Sequence, residues 1–257
     1  MFRSADSWFS TVNDISSGIP IKELAWFSLI EISIVLIIVG LLAGAAVAPL
    51  GHSVQQARYR QAQHQLQAIR VALHGYLVSA GHLPCPLASG ETDSAKQSPD
   101  QLCNTRQGGL PAVSLGLLGV RSATGSLLDP WGREYQYAVS LSDHPSRGRV
   151  NVPDWINAGE LASVGAEALS ADLQLCVRSV NGLCPQNALV ATQIVWLVFS
   201  HGETHATAGV ENENNDRDAV FAHSPYSIKQ NNRFDDQMVW ASRSELVFWL
   251  LKANWLP

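Results

Sequence analysis

The chain has 257 residues, enough for one globular domain with an added segment or for two small domains. Hydrophobic residues make up 46%, enough for a sizeable core, but charged residues only 15%, below the roughly 25% of an ordinary soluble domain; that deficit points to a membrane segment or a long uncharged surface. The net charge of −5 leaves no broad basic field, so nucleic acid is not an expected partner.

The first element is an apolar run from Phe27 to Leu50 in which only Ser28, Glu31 and Ser33 are polar. As a helix it would reach about 36 Å at about 1.5 Å per residue, against a hydrocarbon core of about 30 Å. It is too long for the hydrophobic part of a signal peptide, and the expectation is a retained transmembrane helix. Glu31 is the exception within it. A carboxylate in lipid is costly and needs a partner, which a neighbouring subunit could supply. Gly40 and Pro49 are positions where such a helix can bend.

Phe27-Ser28-Leu29-Ile30-Glu31 ahead of an apolar run resembles the N-terminal signature of type IV pilins and type II secretion pseudopilins. The resemblance implies cleavage between Trp26 and Phe27 by a prepilin peptidase, N-methylation of Phe27, and retention of Glu31 to pair with a subunit's N-terminal amine during assembly. The family carries glycine before the cut, where this chain has Trp26; an uncut chain has no free amine at Phe27 to offer, which changes the family's charge pairing, while Glu31 could still accept a neighbour's amine. Lysine and arginine number two before the span (Arg3, Lys22) and three soon after it (Arg58, Arg60, Arg70), so the positive-inside rule gives no support to an inside N-terminus. The resemblance and the cysteines place the C-terminal part outside the cytoplasm.

From His52 to Ala80 the residues Val54, Ala62, Leu66, Ile69, Leu73 and Tyr76 or Leu77 form one apolar stripe, which predicts a helix. Gly81, Pro84 and Pro86 end it. Ala88–Gly109 reads as a polar loop tied down by Cys85 and Cys103. Four cysteines allow three connectivities. The local pairs Cys85–Cys103 and Cys176–Cys184 are favoured because each lies within one loop region, and an even count suits an oxidising compartment. Asp129-Pro130-Trp131-Gly132 reads as a turn before a strand around Tyr135–Val139. Further strands are predicted at Leu173–Val177, Gln193–Ser200, Ala219–His223 and Gln237–Ala241, the apolar Gln193–Ser200 being central. Ser242 and Glu245 stand as a capping box before a last helix with Leu246, Val247, Leu250 and Leu251 on its apolar face.

The order Leu83-Pro84-Cys85-Pro86, Gly109-Leu110-Pro111, Asp129-Pro130-Trp131-Gly132 and Phe234-Asp235-Asp236 resembles one group of Gram-negative pilin-like proteins. The fold expected is α+β: a long N-terminal transmembrane helix continuing into an antiparallel β-sheet head, as in pilins. The divisions are 1–26 as a cytoplasmic leader, 27–50 as the span, 51–81 as the amphipathic continuation and 82–257 as a periplasmic head.

Candidate chemistry is sparse. His201 and His205 are four apart but lack the glutamate of a zinc-protease helix. Glu211, Glu213, Asp216 and Asp218 lie in a run of oxygen donors that could contribute to a calcium site, as loops of some pseudopilins do, although an acidic solvated loop is the favoured reading. Asp235 and Asp236 are read as shaping a turn. No nucleophile elbow or phosphate-binding glycine loop is present. The expectation is a non-enzymatic minor pilin or pseudopilin without a cofactor, held in the inner membrane and partnered by other pilin-like subunits. The rival readings are a membrane-tethered metal enzyme using the histidines and the acidic loop, and an adhesin or DNA-uptake module on the same scaffold.

Overall fold

The computed structural model describes residues 28–93, 102–204, 209–227, 229 and 233–256, and within the first helix it leaves out the side chains of 43–52. The leader, with the cleavage positions Trp26 and Phe27, and His205 therefore lie outside the described residues. The chain divides into two units, Met1–His52 and Ser53–Pro257.

In the first unit, helix α1 (Leu29–Ala80 in full) begins just after Ser28. Ser28 caps it: its carbonyl accepts from the amides of Glu31 and Ile32, and its hydroxyl from the amide of Ile30. Every side chain from Ser28 to Leu42 is exposed. Among the described residues no helix is long and apolar enough to cross a membrane. The expected span over 27–50 is therefore corrected. From Gln56 through Arg58, Arg60, Gln63 and Gln67, α1 exposes groups that a hydrocarbon layer would not accept.

The second unit is mixed α/β, with its β-sheet curled into a half-barrel. Ala62, Leu66, Ile69, Leu73 and Leu77 of α1 are fully buried, whereas Val54, expected at the head of this stripe, is exposed. Gly81 stops the helix at φ +72, its amide donating to the carbonyl of Leu77. A Cβ there would lie 2.5 Å from the indole of Trp255, so the position needs glycine both for its backbone and for room.

The sheet is built around β4 (Leu189–Ser200). It pairs antiparallel with β2 (Gln136–Val139), with β3 (Leu173–Cys176) and with β6 (Gln237–Ser242). Short β1 (Gln107–Gly109), inside the segment expected to be loop, pairs with β2. The sheet is not wholly antiparallel, a second correction: β3 and β5 (Val220–Ala222) run parallel. The chain reverses once into β4 and once more after it, so β5 recovers the direction of β3.

β4 is apolar from Ile194 to Phe199, where both its faces are buried. Val195, Trp196 and Val198 pack with the α1 stripe, with Trp155, with Leu161 of helix α2 (Ala158–Val164), and with Leu246 and Leu250 of helix α3 (Arg243–Lys252). Ile194, Leu197 and Phe199 pack with Phe221, Phe234 and Met238 on the other side. An irregularity between Ile194 and Trp196, next to Gln193 at φ 54, lets Val195 and Trp196 both join the α1 side.

Disulfides join Cys85 to Cys103 and Cys176 to Cys184, and no cysteine is free. Two disulfides point to an oxidising environment. Near the first, the backbone of Leu87 exchanges both hydrogen bonds with Gly109. It passes so close to Gly108 that a Cβ there would sit 2.1 Å from the Leu87 carbonyl oxygen.

Candidate functional site

Glu31 lies in the first turn of α1, with Ile30, Ile32, Ile34 and Val35 around it, all exposed. The helix orders it locally: Ser28 caps the turn below and the Ser33 hydroxyl donates to the carbonyl of Ile30. Its carboxylate makes no hydrogen bond or ion pair among the described residues. A helix apolar on all sides ordinarily lies in a core or against other apolar surface. Here the described part has apolar side chains on every face and one acid near its beginning. Such a surface can dock against like helices and fix their register by pairing Glu31 with a cation.

The acidic run divides in two. Val210–Asn215 forms a 3-10 helix, so residues three apart share a side. Glu211 and Asn214 turn inward and are buried. Glu213 falls with Asp216 and Asp218 in an outer group whose ligand atoms lie within 4.8 Å of one another. The four carboxylates read from sequence as one donor set are thus not one set.

Glu211 belongs instead with Asp235 and Asp236, all buried, their carboxylate oxygens also within 4.8 Å. Most of these oxygens are occupied. Glu211 Oε1 accepts from the amide of Asp235 at 2.5 Å. Asp235 Oδ2 accepts from the amides of Glu203 and Thr204 at 3.0 Å, and Oδ1 from the Thr204 hydroxyl. Asp236 Oδ2 accepts from the Asn214 amide at 2.7 Å. Asp235 and Asp236, expected to shape a turn, instead lie in an irregular stretch just before β6, where they tie the loop after β4 to the 3-10 helix. Burial pushes the Asp236 carboxyl well above the ordinary carboxylate range, with Glu211 and Asp235 adding to the effect. Glu213 and Asp218 are also raised, first by burial.

Either group could offer three carboxylate oxygens to a cation, but calcium takes six to eight oxygens, and neither group alone reaches that number. His201 is buried beside the inner group, its Nδ1 3.8 Å from Asp236 Oδ1 and its ring edge-on to Phe199. Asp129 in the Asp-Pro-Trp-Gly turn behaves as its sequence suggests. Its Oδ1 accepts from the amides of Trp131 and Arg133, while its Oδ2 accepts from Ser200 at 2.6 Å.

Sequence reasoning did not pick out the polar stripe Arg60, Gln63, His64 and Gln67 on α1. The signal was available in the spacing of three, four and seven, but the same pattern describes any solvated helix face. Comparisons of the chain with protein-family models, with curated proteins and with solved structures find no match.

Proposed function

We propose that the chain is a structural subunit that assembles with like subunits of the type IV pilin and pseudopilin class through the apolar beginning of α1. One observation carries the reading: a helix segment apolar on every side, exposed from Ser28 to Leu42, with the single unpaired carboxylate of Glu31 near its start. Packing such segments side by side removes apolar surface from water at roughly 25 cal/mol per Å². A cation from the neighbour, in that class the N-terminal amine, gives Glu31 its partner and sets the axial register. The two disulfides fit a head that works in the periplasm.

The test is incorporation into the filament or its initiating complex in the producing cell. Glu31→Ala should leave the level of the chain unchanged and reduce its incorporation at least tenfold. Incorporation of that variant at the wild-type level would remove the mechanism.

A further inference from the structure

A cavity of about 510 Å³ opens between α1 and β6 in the second unit, within the size range of sites that take small ligands or peptide side chains. Arg60, Gln63, His64 and Gln67 line one wall, at the spacing of a single helix face, and all four are exposed. None of them has a hydrogen bond or ion pair among the described residues. The facing wall is the start of β6 with Asp236 just before it.

Three features at or beside that second wall point to an occupant. Both polar atoms of the Gln237 amide are buried without a hydrogen-bond partner, an arrangement that is costly unless something fills it. The Nδ1 of His223, also at the cavity, is buried in the same state. In addition, β6 has β4 as its one strand partner among the described residues, so its other edge carries backbone N–H and C=O groups with no strand to meet them.

We infer that this groove receives an extended peptide bearing a carboxylate. The peptide backbone adds to the free edge of β6. Once the Gln237 side chain turns toward the groove, one of the peptide's amide groups offers the acceptor and the donor that its Nε2 and Oε1 both lack. Its carboxylate meets the guanidinium fork of Arg60, with His64 beside it. Asp236, the acid lining the groove, is hydrogen-bonded to Asn214 and buried, so the positive charge of Arg60 faces the ligand without an exposed acid opposing it. The site stands apart from assembly through Glu31, and either proposal can fail without the other.

The test uses the full chain and a fluorescein-labelled hexapeptide of alternating valine and threonine with one central glutamate, followed by fluorescence anisotropy. Three comparisons accompany it: the peptide with glutamine in place of glutamate, the glutamate peptide with N-methylated backbone amides, and free N-acetylglutamate as competitor. Both altered peptides should bind at least about tenfold more weakly. Arg60→Gln, at an exposed position where folding is not at stake, should erase the preference for glutamate over glutamine, and Glu31→Ala should change nothing. Failure of the glutamate peptide to bind overturns the proposal, as does equal binding of the glutamine peptide or an unaltered preference in Arg60→Gln. Undiminished binding of the N-methylated peptide, with N-acetylglutamate competing as strongly as the peptide, overturns the strand-pairing part.

Discussion

Asp154 has no exposed surface, and its Oδ1 accepts one hydrogen bond, from the amide of His144, while Oδ2 accepts none. Burial lifts its carboxyl from an ordinary 3.8 to about 6, and the nearby Asp143 and Glu160 push the same way. The folded state therefore holds the proton more tightly than the unfolded chain. Between those two values the unfolded chain has released the proton and the folded one has not, so the stability from this group is complete below about 4 and lost as pH rises through about 6. Asp154→Asn should flatten that part of the stability profile. Denaturant titrations at pH 4 and pH 7 should show a smaller drop for the variant than for the wild-type chain, and an unchanged drop would assign the effect to another group.

At the scale of elements, α1 beyond His52 is held by tertiary packing more than by its own propensity. It carries β-branched residues and Gly75, but its buried stripe meets both the sheet and α3. Leu73 has no exposed surface and sits in the middle of that stripe. Leu73→Ala should destabilise the second unit by about 2–5 kcal/mol, read as a lowered denaturation midpoint with an unchanged slope. The start of α3 is held differently. The Ser242 hydroxyl accepts from the Glu245 amide, as a capping box requires, but the Glu245 carboxylate turns away and pairs with Arg70 of α1 at 2.5 Å. Arg70 is about a third exposed, so that ion pair adds little stability and serves mainly to orient α3 on α1. His74 lies 3.6 Å from the same carboxylate, with its pKa lowered by burial ahead of any gain from Glu245.

For the whole molecule, the disulfides hold segments that the sheet alone would leave long and loose. Cys85–Cys103 closes an 18-residue separation, for which the chain-entropy model gives about 3 kcal/mol. The paired substitution Cys85→Ser with Cys103→Ser should lower the melting temperature by several degrees, and reductant should lower that of the wild-type chain at least as far, since it opens both bridges. A reductant-insensitive melting curve would mean that the bridges do not constrain the unfolded chain. The exposed apolar segment at the start of α1 also belongs to this scale. The proposal that this surface takes up like subunits is the one that the incorporation assay with Glu31→Ala tests.

Local chemistry made much of this molecule legible in advance. The stripe Ala62–Leu77 repeats with the period of a helix, and Gly81 can take the positive φ that ends it, so the second half of α1 follows from residue spacing alone. Dense runs of strand-forming residues marked the cores of β2, β3, β4, β5 and β6, and the Asp129 turn could be read because its hydrogen bonds lie within a few residues of the aspartate. What the sequence did not determine depends on segments far apart in the chain. β1 exists because β2 lies beside it, and β5 runs parallel to β3 because of two reversals that no short window contains. Glu211 parts from Glu213 because a 3-10 turn sends one toward Asp235 and Asp236 and the other toward Asp216 and Asp218. The groove at Arg60 and Gln237 joins a helix to a strand 177 positions later, and only the packing of α1 on the sheet, which buries Leu66 between them, brings those two walls together.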